Sequence, residues 1–147
     1  MALVDSGYYE AQRRGIDEQF ATQSAANTYA RSLAQQRGSR DINAFQQGFK
    51  REIPSFTAGF GQRGLGGGGV RSGVMQQTMR NYVGDYNTQL NNMRNDLTES
   101  LRQFDLTNAQ LGAQRSSALA DLELQKAREI AFAAQNIEAL RQVLGGL

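Results

Sequence analysis

From Val74 to the end of the chain there is no proline, and an apolar side chain returns at nearly every third or fourth position. The row runs through Met75, Met79, Val83, Tyr86, Leu90, Met93, Leu97, Leu101 and Phe104. It resumes at Leu111, Leu119, Leu122, Ile130, Ala133, Ile137, Leu140 and Leu144. Met79 to Leu144 is 65 residues; with the gaps at 108, 115 and 126 filled, the row makes eighteen steps of 3.61 residues. That period lies nearer to a straight helix, or to an 11-residue repeat, than to the 3.5 of a heptad. The sequence therefore predicts one long, nearly straight helix, on the order of 100 Å at 1.5 Å per residue. Such a helix cannot stand alone in water with its stripe exposed, so it needs partners or must fold back on itself. In DLTNAQLGAQRSSA (105–118) the row meets Asn108 and Arg115, and Gly112 costs about 1 kcal/mol relative to alanine. A bend or hairpin near 112–117 is the alternative geometry.

The chain before this row reads differently. Asp5 and Ser6 can cap a helix entering at Tyr8, with Glu10 in its first turn. Tyr9, Ile16, Phe20, Tyr29 or Ala30, and Leu33 follow at roughly helical spacing, up to a stop at GSR, 38–40. Ser39 or Asp41 then caps a second short helix through Ile42, Phe45, Phe49 and Ile53, ended by Pro54. Residues 54–73 form a glycine-rich joint. The expected organisation is thus an N-terminal helical segment (1–53), the joint (54–73) and a long amphipathic helix (74–147). No stretch shows sustained period-two alternation, so the class is all-α, with short N-terminal helices and an elongated helical bundle as the assembled form.

Composition narrows the chemistry. The 147 residues include 17 glutamines, 9 asparagines and no tryptophan, and much of the apolar fraction is alanine, which suits thin helices better than a compact core. There is no cysteine, hence no disulfide and no thiolate metal site. There is no histidine either, which removes the commonest general base and the commonest metal ligand. Of sixteen basic residues fourteen are arginine, and six basic groups face only two acids within 37–72. That imbalance reads as a solvated loop or as a basic collar facing nucleic acid or an acidic partner. The first residues lack a basic region followed by an apolar run, so no secretory signal is expected, and no window approaches the apolar length of a membrane span.

One string invites an enzymatic reading. Gly64-Leu-Gly66-Gly67-Gly68-Gly69 matches G-x-G-x-x-G. The dinucleotide fingerprint needs a strand before it, and the approach here holds Pro54 and Gly59 and no strand-like run. The phosphate loop fails as well, since Val70 and Arg71 stand where Lys and Ser/Thr are required. Glycines 64, 66, 67, 68 and 69 read instead as a joint. Arg63 and Arg71 flank it as candidate contacts to DNA phosphate or an acidic partner. Asp17/Glu18, Asp96/Glu99 and Asp121/Glu123 sit at spacings of a solvated, ion-paired helix face. No catalytic, cofactor-binding or metal-ligating residue is expected, no small-molecule substrate, and no enzymatic activity. The expected oligomer or partner interface is Met79, Val83, Tyr86, Leu90, Met93, Leu97, Leu101, Phe104, Leu111, Leu119, Leu122, Ile130, Ile137 and Leu140.

In character the chain resembles bacteriophage virion proteins. The resemblance lies in the Gln/Ala-rich YYEAQRRGIDEQFATQSAANTYARSLAQQR, in RGLGGGGVRSGVMQQTMRNYVGDY, and in ALADLELQKAREIAFAAQNIEALR. Small internal or ejection proteins and small helical tail components of short-tailed phages are similar in style. The resemblance implies a structural role in the virion, in many copies around a symmetric axis, lining or extending the DNA-delivery conduit. Its partners would be itself and other virion proteins, with non-specific DNA contact, and membrane contact only at delivery. The alternative is a coiled-coil adaptor or scaffold that binds a larger assembly transiently.

Overall fold

The computed structural model describes residues 6–62 and 70–145, and every one of them is helical. Two helices make up the fold: α1, Ser6–Gln62, of 57 residues, and α2, Val70–Gly145, of 76 residues. No strand occurs among the described residues. The all-α expectation holds, and α2 is helical without interruption through 105–118. At Gly112 the Ser116 hydroxyl donates to the Gly112 carbonyl at 3.1 Å, an i−4 bond within the helix.

The expected short N-terminal helices are corrected. GSR at 38–40 does not stop the first helix, and Pro54 does not end a second one: α1 runs through both. At Gly38 the reason is packing. A Cβ built there would lie 2.5 Å from the Leu97 Cδ1, so the bare backbone is the seat for a leucine from α2. Glycine costs a helix about 1 kcal/mol relative to alanine, and the close approach it allows offsets that. At Pro54 the helix forgoes one amide bond and crowds the carbonyl four residues back, a cost of about 3 kcal/mol. Phe49, on one side, and Phe56, on the other, both stack on Tyr82 of α2, which holds the interrupted turn in place. The Thr57 hydroxyl lies 3.0 Å from the Ile53 carbonyl and 2.9 Å from that of Pro54, within reach of either as a donor.

The expected joint at 54–73 is narrower as unassigned chain, because α1 covers it to Gln62 and α2 begins at Val70. Arg63 and glycines 64, 66, 67, 68 and 69 lie outside the described residues. So does the Arg71 side chain.

The chain divides into two units, each built from a piece of both helices. Unit 2 is residues 30–104. In it Gly38 meets Leu97, Phe45 and Phe49 meet Tyr86, and Phe56 meets Tyr82, so rising numbers on α1 meet falling numbers on α2. The pairing is antiparallel, and Leu90 is its buried side chain. Unit 1 is residues 1–29 with 105–147. There Tyr9 meets Lys126, Asp17 meets Arg115 and Asn27 meets Asn108, again antiparallel, with Tyr9 and Leu122 buried. The α2 stripe thus does not depend on two thin helices for its cover within the chain. In each unit a continuous α1 supplies that cover instead.

Candidate interaction surfaces

In unit 2 the i, i+3 and i, i+4 spacing of Phe45, Phe49, Ile53 and Phe56 puts three rings on one face of α1, and Tyr82 and Tyr86 lie one turn apart on α2. The five rings interleave. Phe45 and Phe49 stack on Tyr86 at centroid distances of 5.2 and 3.7 Å, and Phe49 and Phe56 stack on Tyr82 at 5.3 and 4.5 Å. All four pairs are within 25° of parallel. The Tyr82 hydroxyl donates to the Glu52 Oε2 at 2.7 Å, and that bond, then partial burial, raises its pKa. Both tyrosines stack on phenylalanines of their own chain. They sit at the seam between the two helices.

Unit 1 is held by different chemistry. The Asn108 Oδ1 accepts from Asn27 Nδ2 at 2.9 Å and from Ser24 Oγ at 3.4 Å. The Arg115 guanidinium reaches Asp17 Oδ1 through Nε at 2.8 Å and Nη2 at 2.7 Å. These are the positions where the apolar row of α2 fails, and α1 answers each gap with a polar partner. A polar layer inside a helix seam fixes register at some expense in stability. Further along, Lys126 lies 5.9 Å from the centre of the Tyr9 ring. Tyr9 is 4% exposed, and its hydroxyl is buried without a partner at hydrogen-bond geometry. Burial, then the nearby Glu129 carboxylate acting as acceptor and as charge, pushes its pKa up to about 12. Burial is the larger of the two causes.

Each unit carries a surface depression. In unit 1 a depression of about 170 Å³ lies between Tyr9, Glu10 and Arg13 of α1 and Leu122, Glu123 and Lys126 of α2. That is below the size of ordinary ligand pockets, roughly 300–1,000 Å³. In unit 2 a larger hollow of about 440 Å³ is lined by Ser32, Gln35, Gln36, Ser39 and Arg40, all from α1, and lies open to solvent. No group of three or more metal-ligating side chains occurs among the described residues, and no helix there is long and apolar enough to cross a membrane.

The expected interface residues fall into three groups. Leu90 and Leu122 are buried; Met79, Val83, Tyr86, Met93, Leu97, Leu101, Phe104, Leu111 and Leu119 are half-buried. Ile130, Ile137 and Leu140 are exposed, at 49, 39 and 61%. Sequence reasoning missed Gly38 as a packing notch and Asn108 as a bonded seam residue. It registered the first as a stop and the second as a gap. Comparison of the chain with protein-family models, with curated proteins and with solved structures finds no match.

Proposed function

We propose that this protein is a non-enzymatic structural component of a bacteriophage particle, an internal, ejection or tail protein that assembles in copies through its longer helix around the DNA-delivery conduit. The observation that carries the reading is where the large apolar side chains lie. Only Tyr9, Leu90 and Leu122 are buried among the described residues, while a run of apolar side chains on α2 stays open to solvent. A chain with so little interior has mainly surface to work with, and open apolar side chains on a helix are material for assembly. The residue style of the Gln/Ala-rich helices supplies the virion part of the proposal, and the absence of histidine and cysteine supports a role without chemistry of its own. The test is a mass-spectrometric search for this chain in purified, nuclease-treated phage particles from cells that produce it. Stoichiometric recovery with the particle supports the reading. Recovery only in the soluble fraction would sink it in favour of a transient scaffold or adaptor.

A further inference from the structure

The end of α2 carries an apolar row whose large side chains are exposed. Ile130, Ala133, Ile137, Leu140 and Leu144 follow one another at steps of three, four, three and four, which is the heptad seam of a two- or few-stranded coiled coil. Leu140 and Leu144 are 61 and 69% exposed, and Phe132 and Val143, at 66 and 67%, widen the stripe on one side. The row continues, without a break in the helix, the face that α1 covers at Leu122. Tyr9 of α1 lies beside Lys126 and Glu129, just before this row.

We infer that residues 130–144 are a self-association seam, and that their occupant is the same segment of a second copy of this chain. The inference rests on the reading of the protein as an assembling component and gives that assembly its contact. Three features select a like helix. The heptad spacing is that of helices that pack on each other, and the same steps of three and four run from Val83 to Leu97, where α2 packs on a helix. The seam extends an existing helix–helix interface, so the partner meets a helix already nucleated in unit 1. Between Ile130 and Gly145 the charged residues are Glu138 and Arg141 alone, and they pair with each other at 4.0 Å. A segment without net charge does not repel its own copy in either orientation. The same neutrality argues against an anionic lipid surface, which draws helices with a lysine- and arginine-rich polar face.

The full chain is tested by sedimentation velocity from about 1 to 100 μM, a span that brackets ordinary micromolar self-association, beside the double variant Ile137→Asp with Leu140→Asp. The parent should associate with concentration. The variant should keep its helical circular dichroism and weaken association by at least about 100-fold, since each copy gives up two large aliphatic side chains at the seam. Should the aspartates reduce helicity, Ile137→Ala with Leu140→Ala keeps helix propensity and should still weaken association. Because the chain has no cysteine, Ile137→Cys gives a second readout. Residue 137 is the midpoint of the row, so parallel and antiparallel pairing both bring it to its own counterpart, and mild oxidation should yield a covalent dimer. A parent that stays monomeric, variants that associate like the parent, or Ile137→Cys chains that do not cross-link would each overturn the inference. Co-sedimentation with vesicles of three parts phosphatidylcholine to one part phosphatidylglycerol, lost in the aspartate variant, would overturn it in favour of a membrane surface. The particle search is independent: a chain that dimerises through 137 yet is missing from particles refutes the virion reading alone.

Discussion

At the scale of single residues the fold depends on two exceptions to ordinary helix chemistry. Tyr9 buries a hydroxyl without completing its bond, so Tyr9→Phe, which removes the orphan oxygen and keeps the ring, should raise the thermal midpoint. Its pH signature has a definite sign. The folded pKa is raised above the ordinary tyrosine value of about 10, so its contribution is fully present below that pH. It is lost as pH rises toward about 12. Tyr82 is shifted in the same direction by Glu52. Thermal midpoints between pH 9 and 12 should fall less steeply for Tyr9→Phe than for the parent, and parallel curves would show that the buried phenol is not the titrating group. Gly38 is the other exception. Gly84, also inside a helix, has nothing within 4 Å of where a Cβ would stand. Gly84→Ala should therefore stabilise by about 1 kcal/mol in urea unfolding. Gly38→Ala should fall at or below the parent, because Leu97 must leave its seat. Equal gains at both positions would mean that the notch is not occupied in solution.

Between elements, the two units use different adhesives, and magnitudes rank them. Phe49 stacks on both tyrosines of α2, so Phe49→Ala should cost about 3 kcal/mol, the lower end for phenylalanine truncation because the ring is only half-buried. Arg115→Ala removes a two-pronged contact to Asp17, yet both side chains are more than a third exposed. Solvent screening should hold that loss below about 1 kcal/mol. Chemical unfolding of the two variants measures the difference directly, and a larger loss at Arg115 would reverse the ranking. These contacts also show what the sequence disclosed. The stripe from Met79 to Leu144 announced α2, and the spacing of Phe45, Phe49 and Ile53 announced an apolar face on α1. What stayed hidden was continuity. Gly38 and Pro54 carry local penalties of about 1 and 3 kcal/mol, and only the partner helix, invisible to a local reading, outweighs them. Asn108 and Arg115 looked like defects in the row for the same reason. Their partners Asn27 and Asp17 are some eighty and a hundred positions away.

For the molecule as a whole, the contrast between an aromatic unit and a polar one predicts an order of opening. Native-state hydrogen exchange, run dilute enough to disfavour association, should find the slowest amides within 30–104. Those of 6–29 and 105–129 should be faster, and those after 130 fastest of all. Uniform protection along α2 would show that both units open together. The stacked tyrosines also give the protein a built-in indicator. With no tryptophan in the chain, its ultraviolet emission comes from five tyrosines. Tyr82, bonded to a carboxylate and stacked on Phe49 and Phe56, is the one whose light the fold should dim. Any event that parts 30–62 from 70–104 should brighten the protein, with no dye attached.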